Sequence, residues 1–242
     1  MCCHRDQENR TDAASMNVRL ATMVAITIGV IAAPASAESA RDVLTQASFS
    51  AHSKQAALQS IGEADRLAAA VLARSPDDRE ALLMQATARS YRAKMNGSRA
   101  DAIAARRMFE ALAVRAPRDP EPQLGLGAWH MGAVFKLGGM IGRAALGAQK
   151  SAGLAALDRA VATGGDRAIY AGLSALLRLE QDARDPKGRA LAEVASRAAT
   201  PTMFDRAMRR AAGLVLGSIQ AGNTAATKSL AARLLPFGQI PD

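Results

Sequence analysis

The segment VRAPRDPEPQLGLG, residues 114–127, ends one helix and begins the next. Pro117 cannot continue a helix, and Asp119 before Pro120 offers an N-cap followed by a residue suited to the first helical turn. Two other segments read the same way: ARSPDDREALL at 73–83 and VATGGDRAIYAGLS at 161–174. Their turns, at Pro76, Pro117 and Gly165, are separated by 41 and then 48 residues. A helix pair recurring at such a period is the sequence pattern of a helical solenoid.

Working outward, Ala57, Leu58, Ile61, Ala64, Leu67, Ala68, Val71 and Leu72 recur at helical spacing. The pattern predicts helices over Lys54–Arg74, Arg79–Met95, Arg99–Arg115, a glycine-rich helix ending near Leu137, and Arg143–Ala162. It continues with Arg167–Glu180, Pro186–Ala199, Pro201–Ala221 and Asn223–Leu235, Asp185 and Thr200 serving as N-caps before proline. Residues 38–53 hold a short first helix over Glu38–Phe49, and the end PFGQIPD, 236–242, reads as a frayed tail. Hydrophobic residues make up 49% of the chain but aromatics only 3%, so alanine carries much of the apolar content. Alanine is the best helix former and a poor strand former, and few segments alternate with period two. The chain is therefore expected to be all-α: eight or nine antiparallel helices forming one domain over 54–235.

Residues 1–37 read as a leader. Arg19 precedes an apolar run over Leu20–Ala33, and Ala35-Ser36-Ala37 is a small-residue cleavage site, which predicts a signal peptide cut before Glu38. An uncleaved anchor is the alternative; the run is short of the roughly 20 residues a spanning helix needs. Met16 makes a tidier start than Met1, because the fifteen residues before it are polar and neutral overall. Both cysteines, Cys2 and Cys3, lie in that segment, so the mature chain has no thiol, disulfide or Cys-based metal site. The expected localisation is periplasmic or secreted, with no stable membrane insertion after cleavage. The net charge of +9 is spread along the helices among acidic residues, which suits a solvated surface; export excludes nucleic acid as the partner.

Here the chain resembles the tetratricopeptide repeat family. Ala105, Phe109 and Pro117 fall on the family's small, aromatic and closing-proline positions, and Leu126-Gly127 on its Leu-small pair, with His130 where tyrosine is usual. Tyr170, Leu173 and Ser174 take the bulky, leucine and small positions of the next unit. Ala64, Pro76, Leu82 and Ala86 match in the first, while Gln85, Ala68 and Leu112 depart from the pattern. The resemblance implies a right-handed superhelix whose first helices line a concave face that grips a peptide or protein segment; a plain helical bundle is the alternative.

Leu124–Gly147 carries seven of the nineteen glycines, the only tryptophan, Trp129, and His130. Each helical glycine costs about 1 kcal/mol against alanine, so Gly125, Gly127 and Gly132 need a compensating reason. Close approach of another helix and room for a ligand beside Trp129 both supply one. Although Leu124–Gly142 is mostly apolar, its glycines and His130 argue for burial in protein rather than lipid. The face around Trp129, His130, Phe135 and Lys136, with Arg89 and Tyr91 before it and Tyr170 after it, is the candidate binding surface. Its expected partner is a protein or peptide of the cell envelope, and Trp129→Ala should weaken capture while leaving helix content nearly intact.

The second possibility is a solute-binding accessory of a transporter with a small-molecule pocket near Trp129. No catalytic motif is present: Ser90-Tyr91-Arg92-Ala93 lacks the lysine of SxxK, and 138–143 lacks the Lys-Ser/Thr ending of a phosphate loop. His52 and His130 have no further ligands at metal-binding spacing. The chain thus reads as a non-enzymatic scaffold without cofactor.

Overall fold

A computed structural model describes residues 38–241, and the leader, its cleavage site, Met16 and both cysteines lie outside the described residues. The described residues are all-helical, with eleven helices rather than eight or nine. They are α1 (Ala40–Ser50), α2 (Lys54–Leu72), α3 (Arg79–Asn96), α4 (Arg99–Arg115), α5 (Pro120–Leu137), α6 (Gly139–Leu146), α7 (Lys150–Thr163), α8 (Ala168–Gln181), α9 (Pro186–Ala195), α10 (Met203–Gln220) and α11 (Thr224–Leu234).

The three similar junctions begin α3, α5 and α8. Asp78 caps α3 by accepting the Ala81 amide at 2.8 Å, and Asp119 caps α5 by accepting that of Glu121 at 3.1 Å. The third start is capped from a distance: Asp205 of α10 accepts the Ile169 amide at 3.0 Å. A carboxylate can satisfy an orphan helix amide from another element as well as from its own. Each of these helices packs against the next of the set, α1 on α3, α3 on α5, α5 on α8, and α10 touches both α8 and α1. Of the remaining helices, α2 packs on α1 and α3, α4 on α3 and α5, α7 on α5 and α8, and α9 on α8 and α10.

Helix α8 is the pivot. Every residue from Ala168 to Glu180 is buried, as expected of a helix that is apolar nearly all round. Its one buried guanidinium, Arg178, donates to Asp158 of α7 at 2.7 Å, and Lys187 reaches the same carboxylate at 2.7 Å. Burial works to raise the Asp158 carboxyl, but Lys187 and Arg178 outweigh it and hold it below the usual range.

Three expectations fail. The single helix over Arg143–Ala162 is two, because Gly147 takes a left-handed φ of 72° that closes α6. This inserted helix, between Gly138 (φ 77°) and Gly147, also accounts for the longer second spacing of the junctions. The helix expected from Pro201 starts at Met203, with Thr202 rather than Thr200 as N-cap in a capping box with Asp205. The tail is not frayed: Phe237 is 1% exposed and packs edge-on against Tyr91 at 5.0 Å between centroids. Its amide donates to Ser48 O at 2.8 Å, and Lys94 donates to Pro236 O at 2.6 Å. The first segment is equally integral, α1 burying Val43, Leu44 and Ala47 in the main core.

Candidate functional site

The glycines of α5 divide by face. A Cβ on Gly127 would lie 2.7 Å from the Leu157 side chain and 3.0 Å from its backbone nitrogen, and one on Gly153 of α7 would lie 3.0 Å from His130 Cβ. These two glycines let α5 and α7 approach closely, which answers the choice between packing and ligand room for Gly127. Gly125 makes space for a ring: a Cβ there would overlap Phe109 Cε1. Gly132 meets nothing within 4 Å.

Trp129 is 6% exposed; its indole N–H donates to Ala102 O at 2.9 Å, and Arg106 lies 5.7 Å from the ring centre. His130 stands edge-on beside it and accepts the Gln149 amide at 3.2 Å through Nδ1. Burial, then the nearby Arg106 charge, pushes the imidazole down to about 4, so it is neutral at pH 7. Both side chains join helices to one another. Tyr170 is also buried; burial first, then the Glu121 charge, raises its hydroxyl to about 12. The charge of Arg89 acts on Asp101 of α4. Phe135 and Lys136 are exposed near the end of α5, with Lys228 5.9 Å from the Phe135 ring centre. The seven candidate residues therefore do not form one surface. Of the seven, only Tyr91 lines the cavity described next.

That cavity, of about 100 Å3, lies among α1, α3, α4, α5, α8 and α10, on the side of α5 that carries Leu124, Gly125 and Ala128. Leu44, Leu83, Met84, Phe109, Leu173 and Phe204 make its walls apolar. Two matching pairs supply hydroxyls, Thr45 and Ser48 on α1 and Thr87 and Ser90 on α3, each at i, i+3 and so on one helix face. Ser48 donates to Leu44 O at 2.7 Å and Thr87 to Leu83 O at 2.8 Å, which uses their protons and leaves acceptor lone pairs. Burial pushes the Tyr91 hydroxyl up to about 12, with Ser48 pulling the other way, so the phenol remains a neutral donor. Sequence reasoning passed over the TxxS pairs, although Thr45-Gln-Ala-Ser48 and Thr87-Ala-Arg-Ser90 repeat in plain view.

Where α1, α3 and α5 begin, a charged cluster meets the cavity. Arg41 donates to both oxygens of Glu80, at 2.6 Å each, and to both of Glu121, at 2.9 and 3.0 Å. Arg79 donates to Glu121 at 2.8 Å and pairs with Asp119. Burial works to raise the Glu121 carboxyl, but Arg41 and Arg79 outweigh it and hold it below the usual carboxylate range. Arg41 and Arg79 thus favour the ionised form of the Glu121 carboxyl.

Among the described residues no group of three or more His, Cys, Asp or Glu side chains could hold a metal ion, and no helix is long and apolar enough to cross a membrane. No family model, curated protein or solved structure matches the chain.

Proposed function

We propose that this chain is an exported, non-enzymatic binding scaffold of the tetratricopeptide type that anchors a peptide or protein segment of the cell envelope through one apolar side chain. Its inner helices, α1, α3, α5 and α8, take the place of the repeat family's concave layer, and the junctions that start three of them support that reading. The leader supports export. What carries the proposal is the cavity: apolar walls, four hydroxyls and a neutral phenol around about 100 Å3. The volume suits an aliphatic side chain, whereas pockets for whole small molecules run to roughly 300–1,000 Å3. The transporter-accessory reading, which places a small-molecule pocket near Trp129, is the weaker one because Trp129 does not line the cavity. The hydroxyls would hold the segment's backbone beside its anchor.

Selection from a displayed random-peptide library tests this. The folded chain should enrich peptides that share one aliphatic position, and Ala128→Leu, which fills the cavity from α5, should lose them while unfolding no more easily. Equal capture by Ala128→Leu, or no enrichment by a folded chain, would refute the anchor.

A further inference from the structure

The inserted helix α6 has no counterpart in the repeat pattern. It lies between two glycines with left-handed φ, and it turns two large apolar side chains outward: Met140 is 88% exposed and Ile141 62%. Phe135 and Leu137, at the end of α5, extend the apolar surface. Four large apolar side chains are thus exposed within residues 135–141, and a cluster of exposed apolar residues marks an interaction surface.

The segment that carries α6 has charge of one sign, and on α4 beside it Glu110 is paired with Arg106 at 3.5 Å. No acidic residue occurs between Glu121 and Asp158, a stretch that includes Arg143 on α6 and Lys150 at the start of α7. Arg99 of α4 joins them, held to α6 by its hydrogen bond to Ala145 O at 3.1 Å. Arg106 fixes the base of the helix by donating to Leu146 O at 2.8 Å. Arg99, Arg143 and Lys150 are all exposed.

We propose that α6 is a peripheral docking tip that rests in the headgroup region of an anionic lipid bilayer, with Met140 and Ile141 entering the acyl boundary and Arg143, Lys150 and Arg99 facing the phosphates. Charge complementarity selects this occupant. A short helix with consecutive exposed apolar residues suits a deformable lipid surface, and basic residues around it gain from anionic headgroups. The expectation that Leu124–Gly142 is buried in protein thus holds for its first part: Leu124–Val134 packs inward, and the chain from Phe135 to Ile141 faces out. The docking does not depend on what the central cavity holds.

The test is Ile141→Trp in the full chain, with vesicles of phosphatidylcholine alone and vesicles in which about a third of the lipid is phosphatidylglycerol. The one native tryptophan, Trp129, is buried and contributes a constant emission that the protein without the substitution records. On anionic vesicles the emission of the introduced indole should shift to the blue and be quenched by brominated acyl chains; on neutral vesicles it should do neither. Adding Met140→Ser and Arg143→Gln should weaken the response about tenfold or more. This addition also separates α6 from adsorption through residues 1–37, which would leave the affinity unchanged and overturn the proposal. A blue shift that follows protein concentration without lipid would assign the tip to a second copy of the chain and overturn it too.

Discussion

Replacing His130 or Glu180 by glutamine should reveal two large pH dependences that cancel in the native protein. His130 accepts a backbone amide while buried, and its pKa falls from 6.5 to about 4, through burial first and the Arg106 charge second. Between those values the unfolded chain binds a proton that the folded chain excludes. Stability is full above pH 6.5 and drains as the pH falls towards 4. At about 1.4 kcal/mol per pH unit this amounts to about 3 kcal/mol. Glu180, 6% exposed at the end of α8, moves the other way: burial raises it from 4.5 to about 7 against the pull of Lys94 and Lys228. Its contribution is complete below pH 4.5 and is lost as the pH rises through 7, again about 3 kcal/mol. From pH 6.5 to 4.5 the two slopes oppose each other and the native protein stays nearly level. Urea unfolding followed by far-ultraviolet circular dichroism, stepped from about pH 7.5 to about 4.5, separates them. His130→Gln, which keeps an acceptor but cannot titrate, should gain about 3 kcal/mol on acidification, and Glu180→Gln should lose as much. A His130→Gln profile as level as the native one would refute the imidazole's part.

Substitutions at two further positions test the core. Trp129→Ala should cost about 3–5 kcal/mol in urea unfolding, and Trp129→Phe, which removes the hydrogen bond to Ala102 and part of the buried ring, about 1–3 kcal/mol. A cost below about 1 kcal/mol for the alanine would return Trp129 to the candidate surface, where its loss was expected to leave helix content nearly intact. Phe237→Ala should cost about 3–5 kcal/mol and open the last residues to proteolysis, whereas a frayed tail would show no change in either measurement.

The helices were legible wherever a local signal sufficed. Proline and aspartate at 76–78 and 117–120 marked the starts of α3 and α5, because capping and the missing proline amide act within one turn. Gly147 did not announce its break, because glycine permits a left-handed turn without compelling it, and its surroundings decide which occurs. The tail misled for a related reason: PFGQIPD has no periodicity, so nothing within it announces that Phe237 meets Tyr91, nearly 150 residues earlier.

The candidate site was far less legible than the fold. Rarity drew attention to Trp129 and His130, but rare residues serve cores as readily as surfaces, and the helix face between them and α7 is closed by glycines at 127 and 153. The cavity is assembled from side chains on six helices, most of them leucine, threonine, serine and phenylalanine that are not unusual in their own segments.

The sequence alone determined the helical class and the junctions that start α3 and α5, since propensity, capping and chain breaking are set by neighbours along the chain; the cap of α8 came from Asp205 of α10. Only the tertiary structure decided which face of α5 is closed, where Phe237 goes, and that Met140 and Ile141 stay outside. Those outcomes depend on which distant side chains arrive to exclude water, and burial is a property of the assembled core.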